Sequence, residues 1–340
     1  MTGSRYAAAG VDLAAADDAK ARIGELVAAT RTPLSAGRVG AFGGMVRVPE
    51  GMRHPLLVMS TDGVGTKVLV AEAAGVFDTV GEDLVNHSVN DILVHGARAI
   101  AFMDYVAGHR LPVDMIEGIV AGIARGCVNH GMALAGGETA QMPGVYPEGT
   151  FDLAGTIIGV VEEDAAIHGD AVAAGDVLLA YASTGLHTNG YTLARRVLLD
   201  EMGLLLQQTV PELRQTLAEA LLAVHRSYVA ALAPVLDRIH GMAHITGGGI
   251  AGNLSRVLPA TCDAVVDPNS WEWPALFRLI GDGGNISESE MRDVFNLGVG
   301  MIAVIPADAV AAVESAARAA DVPTWRCGAI VAGSGAARFA

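Results

Sequence analysis

Aromatic residues are scarce in this chain, 5% of 340 residues, although 51% of the chain is hydrophobic. The positive mean hydropathy of +0.40 therefore comes from small residues, alanine above all. No apolar run reaches the length of a membrane-spanning helix, so the sequence reads as soluble. Met1 to Tyr6 lacks the apolar core of a signal peptide. Cysteine is also rare. Cys127, Cys262 and Cys327 are scattered in apolar surroundings, with no metal-ligand spacing and no disulfide framework, and a reducing cytoplasm fits. Basic residues are outnumbered, 22 against 37 acidic, for a formal net charge of −15. That argues against nonspecific binding to nucleic acid or anionic membranes, which needs basic patches. It leaves a phosphorylated small molecule open, because local groups can hold one. The length suffices for two domains of ordinary size.

What the chain does have is glycine, 42 residues of it, concentrated in turns beside acidic groups. The densest is Ser60-Thr61-Asp62-Gly63-Val64-Gly65-Thr66-Lys67. The apolar run Pro55 to Met59 leads in as a strand and the pattern from Val68 to Ala74 leads out as a helix. Glycines let backbone N–H groups approach an oxyanion, and a helix N-terminus favours negative charge. Lys67 adds a point charge and Asp62 offers a carboxylate to a divalent cation. This suits a nucleoside triphosphate with Mg²⁺, although it is not a Walker A loop. A plain glycine-rich turn capped by Asp62 fits the stretch equally well.

Around it the spacing predicts an extended or irregular Tyr6–Asp12, a helix over Asp17–Thr30 ended by Pro33, and a glycine-rich loop from Gly37 to Gly44 able to close over a ligand. Asp78 to His95 is helical in pattern, and Asp83, His87, Asn90 and Asp91 share a polar stripe among apolar neighbours. A solvated face is one reading of this stripe; a partly buried, cation-holding one is the other. His87 reads as a packed or hydrogen-bonding histidine rather than a ligand. Strands follow at Arg98–Val106, Met132–Ala135 and Phe151–Glu162, with a helix over Val113–His130. Two of these strands are expected to end in acidic turns, at Asp104-Tyr105 and at Gly136-Gly137-Glu138-Thr139. Strand ends gathered at one sheet edge are a usual place for a site.

Ala165 to Gly175 reads as a crossing segment. Beyond it come a strand, Asp176–Ala182, and the loop Ser183 to Tyr191, dense in hydrogen-bonding groups. His187 there suits general acid–base work or a bond to phosphate. Pro211 to Ile239 reads as two helices broken near His225. Met242–Thr246 is a short strand followed by Gly247, Gly249 and Gly252 in GxGxxG spacing, with Asp267 near the position of a ribose-binding acid. That imitates a dinucleotide unit; a phosphate-binding helix N-terminus without a dinucleotide is preferred. A helix over Trp271–Ile280, a capping-box spelling at Ser287 and Glu290, strands at Gly298–Ile305 and Thr324–Val331 and a helix over Ala307–Ala320 complete an α+β second half.

Taken together, STDGVGTK, VNDILVHGA, FMDY, GGETAQMPG, STGLHTNGY, ITGGGIAGN and FNLGVGM occur in the order of one family. From about Tyr6 to Val331 the chain resembles phosphoribosylformylglycinamidine cyclo-ligases, the aminoimidazole ribonucleotide synthetases of purine biosynthesis. The resemblance implies two α+β domains, 1–168 for ATP, Mg²⁺ and dimerisation and 169–340 for substrate. It also implies a β-barrel formed when the first domains of two subunits pair in a homodimer. ATP would activate the formyl (amide) oxygen of formylglycinamidine ribonucleotide, and a nitrogen of the same molecule would close the ring. By matched motif, Asp62, Asp91 and Glu138 would serve the metal, and Lys67 phosphate. Gly43, Gly63, Gly65, Thr66, Asn90, Gly136, Gly137, Glu138 and Thr139 would serve the nucleotide. His187, with Lys67 and Asp62, would act in catalysis. Thr188 and Asn189 would reach the substrate, and Thr246, Gly247, Gly248 and Gly249 would take its phosphate. Two positions depart from the family pattern. Gly24 stands where many members have a lysine, with Lys20 and Arg22 nearby, and His87 stands where many have a small or apolar residue. A small-molecule kinase, a dinucleotide-dependent oxidoreductase built on Gly247–Asp267 and a non-catalytic nucleotide-binding protein are the alternatives.

Overall fold

The computed structural model describes residues 22–340 except 39 and 41. The expected stretch Tyr6–Asp12, the start of the first helix and Lys20 lie outside the described residues; helix α1 is seen over 22–29. Among the described residues no helix is long and apolar enough to cross a membrane.

The first half builds a four-stranded sheet from β1 (Pro55–Gly63), β2 (Arg98–Gly108), β3 (Ala133–Gln141) and β4 (Phe151–Glu162), in the order β1-β4-β2-β3. β4 runs antiparallel to both neighbours, and β2 is parallel to β3. Helices α2 (Lys67–Ala74), α3 (Asp78–Leu93) and α4 (Val113–Asn129) accompany it. Ile116, Ile119, Val120 and Ile123 of α4 are buried, as their helical spacing predicts. α3 and α4 touch backbone to backbone: a Cβ on Gly122 would lie 1.9 Å from the Asp78 carbonyl oxygen, so only glycine fits there. α3 packs on β1, β2 and β4. On β1, residues alternate in exposure, and Leu57 and Met59 are 53% and 64% exposed.

Three strands run further than their sequence suggests. Asp62 and Gly63 belong to β1, Asp104 and Tyr105 lie inside β2, and Gly136 to Thr139 lie inside β3. The ladder carries through them because Asp62 pairs Gly155, Gly155 pairs Asp104, and Asp104 pairs Gly137. Glycine is needed at 137, where a Cβ would lie 2.2 Å from Asp104 Oδ1. The acidic groups therefore project from a continuous sheet rather than from turns at its edge.

The second half forms a six-stranded sheet. Its strands are β5 (Val177–Ala182), β6 (Gly241–His244), β7 (Cys262–Val266), β8 (Val299–Ile305), β9 (Thr324–Ala332) and β10 (Ala337–Phe339), in the order β10-β7-β9-β5-β8-β6. All neighbours are antiparallel except β7 and β10. Every residue of β8 is buried, because both faces of the sheet are covered. Leu179, Tyr181, Met301 and Ala303 pack with Val310, Val313 and Ala317 on one side, while Leu178, Ala180, Ile302 and Val304 pack with Ile250 and Leu254 on the other. β6 lies at one edge and β7 on the far side of β5, so the GxGxxG stretch joins no pair of adjacent parallel strands. The dinucleotide alternative loses its structural basis there.

The stretch from Pro211 to Ile239 is less helical than its Ala/Leu content suggests. Short helices occupy Leu217–Leu221 and Val229–Leu232, and residues 223–228 are irregular. Side chains from the first half take over the backbone bonds of that irregular segment. Asp83 Oδ1 accepts from His225 N at 2.7 Å, and Asn90 Oδ1 accepts from Tyr228 N at 3.0 Å. Asn86 and Asn90 donate to the His225 and Arg226 carbonyls, both at 2.8 Å. A buried segment whose polar backbone is satisfied this way has no need of a helix.

Candidate active site

The polar stripe of α3 is the seam between the two halves. Asp83 and Asn90 are wholly buried and His87 nearly so; the solvated-face reading does not hold. Facing the stripe are Asp62 from the end of β1, His187 and Thr188 from the loop before Tyr191, His225 from the irregular segment and His244 from the end of β6. Four imidazoles and three carboxylates, those of Asp62, Asp83 and Asp91, thus meet across one interface. His187 stacks on His225 with ring centroids 3.9 Å apart, and His87 lies 5.3 Å from His225 and 5.1 Å from His244.

The hydrogen bonds orient these groups. His244 Nδ1–H donates to Asp91 Oδ1 at 2.7 Å, and the other nitrogen, Nε2, is 3.0 Å from His225 Nε2. His87 Nδ1 is 2.7 Å from Thr188 Oγ1. His87 Nε2 sits 3.5 Å from both Asp62 Oδ1 and Asp91 Oδ2. Ser60 Oγ–H donates to Asp62 Oδ2 at 2.7 Å. His187 holds a left-handed backbone, φ +60°, and its Nε2 accepts the Thr184 N–H at 3.2 Å. Its Nδ1 is buried with no partner among the described residues.

Titration follows from this environment. Burial drives the His187 and His225 imidazoles well below their ordinary pKa, with neighbouring histidines adding to the shift. Burial lowers His244 too, against the opposing pull of Asp91. His87 goes the other way: burial lowers it, but Asp91, Asp62 and Asp83 together outweigh that and raise it. Burial raises Asp62, whereas the bond from His244 and the nearby His87 imidazole overcome burial and hold Asp91 well below the usual carboxylate range. Two groups of side chains have donor atoms close enough to share a metal ion: His87, Asp91 and His244, and also His187, His225 and His244.

Lys67 needs a correction. Its side chain is wholly buried, with Nζ 2.7 Å from Asp83 Oδ2 and donating to the Ala223 carbonyl at 2.8 Å. It faces inward from the first turn of α2 and offers nothing to a phosphate at the surface. Glu138 is separate as well. It lies on β3, three strands across the sheet from β1, roughly 14 Å at strand spacing. One ion held by Asp62 and Asp91 is therefore out of its reach.

Glu138 belongs instead to a cavity of about 600 Å³ between the glycine-rich loop and β3, lined by Gly37, Gly44, Asp104, Gly136, Gly137 and Thr139 among others. Gly43 is exposed beside it, and Gly24 and Arg31 also line it. Arg22 pairs with Glu117 at 2.8 Å. A second cleft, of about 550 Å³, joins Gly65 and Thr66 to Thr188, Asn189, Arg196 and Glu290. Gly63 borders β4 across from Ala154. Gly247 approaches Asn189 Oδ1, while Thr246, Gly248 and Gly249 shape the turn after β6, with Asn253 donating to the Thr246, Gly247 and Gly249 carbonyls. The structure thus brings Asp62, Asp91, His187 and Thr188 together, with Asn189 and the 246–249 turn nearby. His225 and His244 escaped the sequence reading. The only signal for His244 was its place just before the Gly-rich turn, and His225 sat in what read as a helix break.

Comparison with known proteins identifies the family. The profile described as AIR synthase related protein, N-terminal domain, matches residues 43–161, and the corresponding C-terminal domain matches 173–339. A phosphoribosylformylglycinamidine cyclo-ligase from Sorangium cellulosum is 47% identical over 331 residues, covering 96% of this chain and 95% of that one. The chain belongs to this cyclo-ligase family. Its fold also recurs in thiamine-monophosphate kinase from Stenotrophomonas maltophilia, with a TM-score of 0.69 at 20% identity over 93% of this chain and 94% of that one. The hydrogenase maturation protein HypE in complex with ATP gives a TM-score of 0.62 at 20% identity, covering 92% and 88%.

Proposed function

We propose that the chain catalyses the ATP-dependent closure of formylglycinamidine ribonucleotide to aminoimidazole ribonucleotide in purine biosynthesis, releasing ADP and phosphate. The observation that carries this is the near-full-length match to a cyclo-ligase, of whose motif residues Asp62, Asp91, His187 and Thr188 meet at one seam in this chain. An amide oxygen is a poor leaving group, and phosphorylation makes it a good one. The protein's task is to align the γ-phosphate and fold the substrate for attack by its own nitrogen.

The donor set fits a divalent cation: two carboxylates, Asp62 and Asp91, each hold an oxygen 3.5 Å from His87 Nε2. Mg²⁺ or a similar ion held there would neutralise charge on the transferring phosphoryl group. Asp62 and Asp91 are oriented for this by Ser60 and His244. His187 is neutral, so it serves as a proton acceptor or hydrogen-bond donor rather than as a fixed charge. Thr188, Asn189 and the 246–249 turn line the approach for the ribonucleotide and its phosphate. Gly65 and Thr66 with the 550 Å³ cleft, and Gly136 to Thr139 with the 600 Å³ cavity, are assigned to nucleotide. The HypE neighbour, solved with ATP, supports a nucleotide on this fold. Lys67 is assigned a positioning role. The domain change is placed near residue 168, and a homodimer that covers β1 is part of the reading.

Incubation with ATP, Mg²⁺ and formylglycinamidine ribonucleotide should give ADP and the aminoimidazole product in equal amounts. ADP release with thiamine monophosphate, and none with the formylglycinamidine, would replace this reading with a kinase.

A further inference from the structure

The cyclo-ligase reading leaves His87 in the seam without a task. Three side chains there have one polar atom tied and one free, and the free nitrogen lies near both free oxygens. Asp62 Oδ2 accepts from Ser60 at 2.7 Å, which leaves Oδ1. Asp91 Oδ1 accepts from His244 at 2.7 Å, which leaves Oδ2. His87 Nδ1 bonds Thr188 Oγ1 at 2.7 Å, which leaves Nε2. The free Nε2 lies 3.5 Å from each free oxygen.

Those two equal distances are informative. A charged imidazole donating to a carboxylate closes to about 2.7–2.9 Å on one partner. Nε2 does this with neither. Ligands around a tetrahedral ion with bonds of about 2.0–2.1 Å lie about 3.3 Å from one another, close to the two spacings from Nε2. The outer bonds to Ser60, His244 and Thr188 are the kind that fix ligand orientation and histidine tautomer around a metal. The residues come from β1 and from one face of α3, where His87 and Asp91 are four apart, so the scaffold beneath them is rigid.

We propose that Asp62 Oδ1, His87 Nε2 and Asp91 Oδ2 form a three-ligand site that holds a first-row transition-metal dication of the Mn²⁺, Co²⁺ and Zn²⁺ class more tightly than Mg²⁺. This rests on the assignment of Asp62 and Asp91 to the cation in the cyclo-ligase reading and adds His87 as the ligand that sets its preference. Imidazole nitrogen is a good ligand for transition ions and a poor one for Mg²⁺, which prefers oxygen and retains water. A site of two carboxylates alone has no such bias.

The test uses the purified full-length chain stripped of metal, without nucleotide, titrated with Co²⁺ by visible absorption and with Mg²⁺ by competition. Co²⁺ should bind at least about tenfold more tightly than Mg²⁺. His87→Gln and His87→Ala should each weaken Co²⁺ by about tenfold or more, the scale of a lost metal contact, and leave Mg²⁺ within threefold. Asp91→Asn should weaken both ions. Mn²⁺ bound to the parent protein should show imidazole ¹⁴N coupling in pulsed electron paramagnetic resonance, a measurement that needs no variant to fold. Absent ¹⁴N coupling, or equal Co²⁺ affinity in parent and His87 variants, overturns the proposal. Ring closure measured in parallel separates the two readings. Loss of the metal preference with product still formed removes only this site, and a retained preference without product removes only the cyclo-ligase assignment.

Discussion

The Lys67 ammonium lies 2.7 Å from Asp83 Oδ2, and neither side chain is exposed. Burial pushes both towards their neutral forms, lowering Lys67 and raising Asp83, while each partner opposes the shift of the other. The pair ties the start of α2 to α3, and both residues also hold the 223–228 segment, through the Ala223 carbonyl and the His225 amide. That segment carries His225 into the seam, so the pair positions the site without touching its open side.

Lys67→Met should therefore destabilise the fold by about 3–5 kcal/mol, because it leaves Asp83 buried without its partner. Lys67→Met combined with Asp83→Leu should recover part of that loss. Urea midpoints for the parent, both single variants and the double variant check this. A Lys67→Met midpoint equal to that of the parent contradicts it.

The sequence was legible where periodicity and burial agree. α3, α4 and β4 appear with bounds within two residues of those expected, because each carries an uninterrupted apolar face. Strand ends were misjudged at Asp62, Asp104 and Gly136, since glycine and aspartate usually mark turns, whereas here cross-strand pairing carries through them. His225 and the 223–228 segment were illegible for another reason. Their backbone is held by Asp83, Asn86 and Asn90, about 140 positions away in the chain, and no local pattern reports a partner that distant. Lys67 misled because a lysine after a glycine turn reads as a phosphate ligand until its burial is seen.

Asp104 supplies a pH test away from the seam. Partly buried in the wall of the larger cavity, it is pushed by burial up to about 7. A carboxyl raised in the folded state binds its proton more tightly there than in the unfolded chain. Stability is therefore greatest below the unfolded value and is lost as pH rises towards 7, by at most about 1.4 kcal/mol per pH unit. Asp104→Asn should flatten this loss between pH 4.5 and 7, read by urea unfolding at several pH values. An unchanged slope in the variant argues against a raised Asp104.

Exposed Leu57 and Met59 on edge strand β1 bear on assembly. Two large apolar side chains on one face of an edge strand favour pairing with another strand or sheet. A second copy of this chain is the expected occupant, and light scattering at micromolar concentration should give twice 34.9 kDa. Met59→Lys should shift that mass towards the monomer while leaving the circular dichroism spectrum unchanged. A monomeric parent protein sinks the expectation.

His187 permits the sharpest test of the chemistry. Its Nε2 accepts from Thr184 N, so the ring proton sits on Nδ1, which has no acceptor among the described residues. An unsatisfied buried donor is costly, and one aimed into a seam of catalytic character is suited to an oxygen that appears during reaction. Burial keeps the ring neutral through the physiological range, so it donates a hydrogen bond or exchanges a proton rather than supplying a standing charge. His187→Ala should then lower turnover by roughly 10²-fold or more, with ATP and substrate still bound. Alanine is also strained at φ +60°, whereas asparagine tolerates the left-handed region. His187→Asn is thus the control that preserves the loop and a hydrogen-bonding group but not an imidazole. If His187→Asn turns over like the parent at equal thermal stability, His187 only shapes the loop. If it is as slow as His187→Ala while melting like the parent, the imidazole itself takes part in ring closure.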